Sequence, residues 1–269
     1  MIAMKRSRLG LPVIGRLIVA ILAHALLSTK PASAADELHV MTSGAFTAAY
    51  LTLAPEFERA TGHRLIVDAT SMGVGATGIP ARLARAEVVD VVIVAAQDLE
   101  PLIAAGLVRP GSRVDLARSS IGMAVRRGAP KPDISTVSAL TETLLKASSI
   151  AYSASVSGTY LSTELFARLG VAEQVLPKSR RIEGERVGAV VARGEAEIGF
   201  QQLSELLPIS GIDVVGPLPA AVQRVTVFSA GIATASSHPA SAGAFIAYLG
   251  STAAHAAIRK SALEPVTSP

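Results

Sequence analysis

Two serine-containing loops could bind an anion. Ser43 and Ser71 each follow a short apolar segment and come just before a predicted helix, and glycines lie close by at Gly44 and Gly73. Backbone N–H groups at helix N-termini carry partial positive charge, and a neighbouring hydroxyl adds another donor. Such neutral dipoles could hold a tetrahedral oxyanion. Ordinary N-capping is the alternative role, and it is compatible with binding.

Arg186 introduces a second chemistry. It lies in the first turn of a helix predicted over residues 184–193. A guanidinium group pairs with carboxylates in a bidentate manner, so Arg186 could hold an organic acid. Arg82, just beyond the Ser71 loop, could act in the same way. For both residues the alternative is a solvated surface arginine.

The elements that must position these residues alternate along the chain. The first set comprises strands at 38–41, 64–69 and 88–95 and helices at 46–62, 79–86 and 98–105. The third strand is almost wholly apolar, as a strand covered on both faces would be. Pro55 should kink or split the first helix. This order predicts a parallel sheet with helices on both sides.

A second set of similar size follows. It comprises strands at 121–125, 149–152, 196–202 and 213–215 and helices at 136–147, 159–169 and 184–193. A long strand at 222–234 and helices at 239–249 and 253–260 close the chain. These helices have no sheet of their own, so the chain should return to the first set.

An α/β fold with two lobes results from this return. The first lobe should contain residues 35–117 and 225–269, and the second should contain residues 118–224. Ligand sites in open α/β sheets lie at the carboxyl ends of the strands. The cleft between the lobes should therefore collect the loops named above.

Residues 1–34 predict a secretory signal peptide. Lys5, Arg6 and Arg8 precede an apolar run at 17–27, and the triplet 32–34 is a small-residue cleavage site. A membrane anchor is the alternative, but a spanning helix needs about 20 apolar residues. Export through this signal places the protein in the periplasm.

The charge balance changes once this segment is set aside. Five of the 25 Lys and Arg residues, and none of the 21 Asp and Glu residues, lie in residues 1–34. The rest of the chain therefore has 20 basic and 21 acidic residues, a net charge of −1. With no Trp and only 6 Phe and 4 Tyr, it lacks the basic and aromatic surface that nucleic acids need.

Patterns for common catalytic centres are missing from the sequence. The chain has no Cys, and its five His residues do not pair at metal-ligand spacing. It also lacks a Gly-x-Ser-x-Gly elbow and a Walker-type loop. We therefore expect no cofactor and no metal, and a binding protein is the default hypothesis.

Several short motifs share their order and spacing with a known family. They are Ser43-Gly44-Ala45, Phe57-Glu58 with Thr61-Gly62, the Ser71 loop, Asp90-Val91-Val92-Ile93 and the segment 194–199. Together they resemble the periplasmic solute-binding proteins of ABC transporters, type II fold, in their molybdate-binding branch. The resemblance implies two lobes, each a sheet flanked by helices, joined by two crossing hinge strands.

The same resemblance implies how the protein works. A monomer would capture a small anion, an oxyanion such as molybdate or an organic acid, for an inner-membrane ABC permease. The lobes would close about residues near 118 and 224. No stable membrane insertion is expected after removal of the signal. A sensor that presents its ligand to a membrane receptor remains an alternative.

Binding residues follow from matching positions in the family. The two serine loops of the first lobe match Ser43-Gly44 and the Ser71 loop with Gly73. In the second lobe the loop from Ser155 to Ser157, and the start of the Arg186 helix, would offer backbone N–H groups. The binding tyrosine of the family falls at or near Gln202. Ser71, Ser157, Gln202 and Arg186 together would suit an organic acid with several carboxylates, and an oxyanion such as molybdate stays the alternative.

An enzymatic alternative stays open because proteins of this branch include aconitate isomerase. That resemblance implies an allylic proton shift in an unsaturated tricarboxylate, without a cofactor. Arg186 would hold a carboxylate, and Glu185, Glu205, Tyr152 or Tyr160 would exchange the proton. A carboxyl group buried at such a site would have a raised pKa. For Glu205 the alternative is an ordinary acid in the first turn of a helix.

Overall fold

The computed structural model describes residues 35–69 and 76–267 of the 269-residue chain. The predicted signal peptide lies outside these residues, and so do Ser71 and Gly73. Within the described ranges, no helix combines the length and the apolar character that crossing a membrane requires.

The strands form two mixed sheets. They are β1 (Glu37–Thr42), β2 (Arg64–Ala69), β3 (Val91–Ala95), β4 (Val114–Ser119), β5 (Ile121–Arg126), β6 (Ile150–Ser153), β7 (Ser179–Ile182), β8 (Ile198–Gln202), β9 (Ile212–Pro217), β10 (Thr226–Ile232) and β11 (Glu264–Pro265). The first sheet has the order β11-β4-β10-β3-β1-β2, and the second has the order β7-β6-β8-β5-β9. β1 pairs parallel with β2 and β3, and β6 pairs parallel with β7 and β8, whereas the other pairs are antiparallel.

Helices flank both sheets. They are α1 (Thr47–Thr61), α2 (Ile79–Ala84), α3 (Ala96–Ala104), α4 (Val137–Lys146), α5 (Val156–Tyr160), α6 (Phe166–Arg168), α7 (Ala172–Val175), α8 (Val187–Ala192), α9 (Leu203–Leu206), α10 (Pro239–Leu249) and α11 (His255–Lys260). A π-helical turn, Leu161–Leu165, joins α5 to α6. Each sheet with the helices packed on it is called a lobe below. The predicted two-lobed α/β architecture is confirmed.

The chain crosses between the lobes twice. β4 ends at Ser119 and β5 begins at Ile121, so one residue separates the two sheets at the first crossing. The return runs from Pro217 at the end of β9 to Thr226 at the start of β10. These two segments are the hinge strands that a two-lobed protein needs.

Aromatic packing fixes the closing helices to the first lobe. The ring of Phe245 in α10 lies 4.9 Å from that of Phe57 and 6.0 Å from that of Tyr50, between ring centroids. The core that these rings share also contains Leu38 and Ile258. Aromatic pairs add about 0.5–1.5 kcal/mol beyond the burial of their surface. The C-terminal helices therefore pack on the first sheet, as the sequence predicted.

Pro55 does not split α1, contrary to one expectation. The helix runs from Thr47 to Thr61 with the proline inside it. Proline removes the hydrogen bond to the carbonyl four residues earlier, here that of Leu51. Leu51 is on the solvent side of the helix, where water can bind that carbonyl.

Other boundaries also differ from the sequence expectation. α8 begins at Val187, so Arg186 is its N-cap residue, with extended φ and ψ of −79° and 137°, and does not lie in its first turn. Gly184 adopts a left-handed φ of 75°, which an α-helix does not allow, so the helix cannot begin at residue 184 as predicted. β7 was not predicted from sequence, because its exposed arginines at a sheet edge interrupt the apolar pattern of a strand.

Candidate functional site

The Ser43 loop connects β1 to the first helical turn. Ser43 donates its backbone N–H to the carbonyl of Ile93 at 2.8 Å, which fixes the loop beside β3. Its side chain does not cap the 3-10 turn Gly44–Phe46. The Oγ atom is buried and has no hydrogen-bond partner among residues 35–69 and 76–267. The hydroxyl is thus available to a ligand, because capping does not occupy it.

Three serines of the second lobe form a hydroxyl cluster. The Oγ atom of Ser153 lies 2.8 Å from that of Ser155 and 2.9 Å from that of Ser157. Ser153 ends β6, and Ser155 is the N-cap residue of α5 without a side-chain cap bond. The predicted pair Ser155 and Ser157 is therefore joined by a third serine that the sequence analysis missed.

The two loops face each other across the lobes. Val156, between Ser155 and Ser157, packs against Ala45, Ala95 and Phe228 of the first lobe. On the same side, a Cβ atom added to Gly44 would overlap the Oε1 atom of Glu205 in α9. Contacts through Gly44, Ala45, Val156 and Glu205 are called the interlobe contact below.

Glu205 is a buried acid at this contact, only 8 % exposed. Burial raises the pKa of its carboxyl group to about 7, while the charge of Arg186 and a hydrogen bond with Gln201 oppose that rise. Gln201 also accepts a hydrogen bond from the backbone N–H of Val187 at 2.9 Å. Gln201 thus connects the acid to the residue that follows Arg186.

Arg186 is half-buried beside Glu205. Its guanidinium group makes no hydrogen bond or ion pair within residues 35–69 and 76–267. A half-buried cation without a partner can accept a carboxylate ligand at little cost of rearrangement. Arg82 differs, because Asp68 and Glu87 already bind its guanidinium group.

Glu185 lies outside this group. Its exposed carboxylate pairs with Arg193 at 2.9 and 3.0 Å, and these bonds lower its pKa. Its position does not support a role in proton exchange. The two tyrosines also serve the second core: Tyr152 packs edge-on against Phe166, and Tyr160 donates its hydroxyl to the carbonyl of Val222 at 2.8 Å.

Gln202 lies at the end of β8, next to the interlobe contact. Its Nε2 atom donates to Thr226 Oγ1 at 3.1 Å, while its buried Oε1 atom has no partner in the part of the chain that the structure describes. The buried Oγ atom of Ser204 also has no partner within that part. The sequence analysis named Gln202 but missed Ser204 and Gln201, because polar residues at strand ends are common.

Asp98 is a further partly buried acid of the first lobe. It lies in the first turn of α3, three residues after Ala95, and burial raises its pKa to about 6. From sequence Asp98 was predicted only to begin a helix. Its position soon after the fully buried strand β3 is the feature that could have indicated a site residue.

Unfolding should show the raised pKa of Glu205. The folded protein keeps this carboxyl protonated between its usual value of 4.5 and about 7, whereas the unfolded chain ionises it. The contribution of this carboxyl group to the free energy of unfolding is therefore complete below pH 4.5 and is lost as pH rises to about 7. At about 1.4 kcal/mol per pH unit, the free energy of unfolding falls by about 3 kcal/mol between pH 4.5 and about pH 7.

Glu205→Gln should remove that loss. Its stability relative to the unchanged protein, measured by urea unfolding, should be about 3 kcal/mol more favourable at pH 8 than at pH 4.5. Glu185→Gln is the matched control and should show no such gain, since the pKa of Glu185 is lowered. If Glu205→Gln changed the free energy of unfolding by the same amount at pH 4.5 and at pH 8, the raised pKa of Glu205 would be contradicted.

Known proteins resemble this chain in sequence and fold. Residues 38–263 match the family described as bacterial extracellular solute-binding protein. Aconitate isomerase from Pseudomonas sp. is 49% identical over 245 residues, covering 90% of this chain and 94% of the relative.

Solved structures share the type II fold. The periplasmic molybdate-binding protein of Azotobacter vinelandii superposes with a TM-score of 0.68 at 22% identity, over 86% of this chain and all of that one. The tungstate-binding protein of Desulfovibrio alaskensis G20 gives 0.61 at 16%, over 87% of this chain and all of that one. These likenesses confirm the fold, and the match over residues 38–263 shows that the chain belongs to the bacterial extracellular solute-binding protein family.

Proposed function

We propose that this protein binds an unsaturated tricarboxylate between its lobes and interconverts cis- and trans-aconitate without a cofactor. Membership of the family indicates solute binding, and isomerisation adds one chemical step to that binding. It also includes export to the periplasm through the N-terminal signal. The observation that carries it is the buried carboxyl group of Glu205 at the interlobe contact, with its pKa of about 7.

Glu205 suits proton exchange near neutral pH. The best acid–base catalyst has a pKa close to the working pH, because both of its protonation states are then populated. Burial raises the pKa of Glu205 to about 7, and Arg186 and Gln201 keep it from rising further. The 49% identity to aconitate isomerase over 90% of the chain supports the same reaction.

The step balances without another reactant. The carboxylate of Glu205 removes a proton from the methylene carbon next to the double bond, and the electron pair delocalises into the neighbouring carboxylate. The double bond shifts by one carbon. Protonated Glu205 then returns the proton to the former vinylic carbon, so that substrate and product are the two isomers.

The other residues would hold the carboxylates. Arg186 offers a charged fork, while Ser43 and the hydroxyl cluster at Ser155 and Ser157 offer neutral donors. The net charge of −1 outside residues 1–34 gives no long-range attraction for a trianion. Local donors must therefore supply the binding energy. Ser71 and Gly73 would contribute from the second loop of the first lobe.

Arg186→Ala should weaken aconitate binding about 10- to 100-fold, because a hydrogen bond to a charged group contributes about 1.5–3 kcal/mol. Isothermal titration calorimetry on the Glu205→Gln background would measure the dissociation constant without turnover. Arg193→Ala is the matched control, since that arginine already pairs with Glu185 and Glu195. Equal affinities of the two variants would contradict the role of Arg186.

Capture for transport is the second candidate function. The family match over residues 38–263 supports solute binding, and in this candidate function a monomer would deliver its solute to an inner-membrane ABC permease. The ligand could then be an organic acid or an oxyanion such as molybdate. This candidate needs the same cleft but no proton transfer.

One experiment separates the two candidates. The protein is incubated with cis-aconitate in D2O and followed by proton NMR. Isomerisation should produce trans-aconitate, and it would carry deuterium at carbon only to the extent that the proton on Glu205 exchanges with solvent before its return. Stabilisation of the protein by aconitate or molybdate in a thermal shift assay, with no isomer formed, would support capture alone.

A further inference from the structure

Buried polar side chains lie where the two crossing strands meet. Ser119 ends β4, Thr226 begins β10, and the two residues are paired across these strands. Because directly paired residues point to the same face, their hydroxyls are neighbours. Gln202 of the other lobe donates its Nε2 proton to Thr226 Oγ1. Ser119, Gln202 and Thr226 are called the hinge cluster below.

The hinge cluster has unused hydrogen-bonding capacity. Ser119 and Gln202 are each only 1 % exposed. Nevertheless, no residue that the structure describes hydrogen-bonds to the Oγ atom of Ser119 or the Oε1 atom of Gln202. A buried polar group without a partner costs about 1–3 kcal/mol. Two such groups in one cluster indicate that a polar group of a ligand binds there, because stability of the fold alone would favour apolar residues at these positions.

This cluster is continuous with the interlobe contact. Thr226 precedes Phe228 by two residues in β10, so both side chains lie on one face of the strand. Phe228 packs against Ala45 and Val156 of the contact. From the other lobe, Gln202 directly precedes α9, the helix that contains Glu205. A ligand beside Glu205 can therefore extend to the hinge cluster.

The chemistry of the cluster fits a carboxyl group. Ser119 can donate one hydroxyl proton. The hydroxyl of Thr226 can donate as well as accept, so the Gln202 amide can turn over and present its Nε2 donor. Two neutral donors would then bind the two oxygens of a carboxylate without a second charged side chain of the protein near Glu205.

We propose that the hinge cluster binds one carboxyl group of the ligand and so determines the specificity for a tricarboxylate. This inference rests on the proposed function and deepens it. The bound group would contact the end of β4 and the start of β10 together. Ligand binding would thus be linked to both hinge strands, and an acid that lacks this group would bind without that link.

Ser119→Ala tests the inference by calorimetry on the Glu205→Gln background. The ligands are trans-aconitate, glutaconate, which lacks the central carboxyl group, and itaconate, which lacks a terminal one. Ser119→Ala should weaken trans-aconitate at least 10-fold and one of the two dicarboxylates less than 2-fold. Thr226→Val should give the same pattern, and Ser261→Ala, in a turn after α11, should change no affinity.

The outcomes separate this inference from the proposed function. Equal losses for all three acids, or none for trans-aconitate, would overturn the hinge cluster and leave isomerisation intact. The selective loss in a protein that does not isomerise aconitate would support the cluster and overturn turnover. The melting temperature of ligand-free Ser119→Ala should not fall, since the Ser119 hydroxyl has no partner to lose among the described residues; a fall would indicate a structural role.

Discussion

Glu205→Gln should lower kcat for aconitate isomerisation about 10²- to 10⁴-fold, the usual contribution of a general acid–base group. Glutamine keeps the shape of the side chain and its hydrogen bond with Gln201 but cannot take up a proton. Binding should survive, so trans-aconitate should still raise the melting temperature. Proton NMR would measure the rate at which the other isomer forms.

Glu185→Gln provides the matched control for this result. It makes the same chemical change in the same lobe, at an exposed carboxylate that pairs with Arg193. Its kcat should stay within about 3-fold of the unchanged protein. Should Glu205→Gln keep more than a tenth of the activity, proton exchange must lie at another group, and Asp98 would be the next residue to change.

Gly44→Ala should abolish productive closure of the lobes. The added Cβ atom would overlap Glu205 Oε1 and lie 3.1 Å from Glu205 Cδ. The carboxyl group could turn away, but it would then leave the position from which it exchanges a proton. We expect kcat to fall at least about 100-fold, since misplacement by about 1 Å costs that much. Small-angle scattering should show less compaction with aconitate than in the unchanged protein.

Gly243→Ala is the control for an added methyl group. Its Cβ atom would meet only Ile232 Cδ1, at an ordinary contact distance of 3.8 Å, inside α10. Activity and compaction should remain unchanged. Full activity of Gly44→Ala would mean that the interlobe contact opens during turnover, and it would contradict the placement of Glu205.

Much of the fold was predictable because its strongest signals are local. Residues 91–95 are buried on both faces and apolar throughout, so their strand was evident. The return of α10 and α11 to the first sheet followed from their lack of another partner. β7 was not predictable, because Arg180 and Arg181 lie exposed at a sheet edge.

Part of the candidate site was also predictable. Ser43, Gly44 and Gln202 lie at strand ends, and the structure places them at or beside the interlobe contact. Glu205 and Glu185 could not be distinguished from sequence, since each precedes or begins a short helix. Burial separates them, and burial depends on contacts between distant segments. Ser119 and Thr226 were missed for the same reason.

The π-helical turn Leu161–Leu165 has a consequence for how this protein tolerates change. It separates Tyr160, which holds the return crossing at Val222, from Phe166 in the second core. Each residue turns a helix by about 100°. A π-helical turn holds about one residue more than an α-helical turn, so the loss of one residue here would leave a regular helix with Ser157, Tyr160 and Phe166 close to their present directions. One further inserted residue would instead rotate Ser157 and Tyr160 relative to Phe166, so insertions in this turn should be far less tolerated than single deletions.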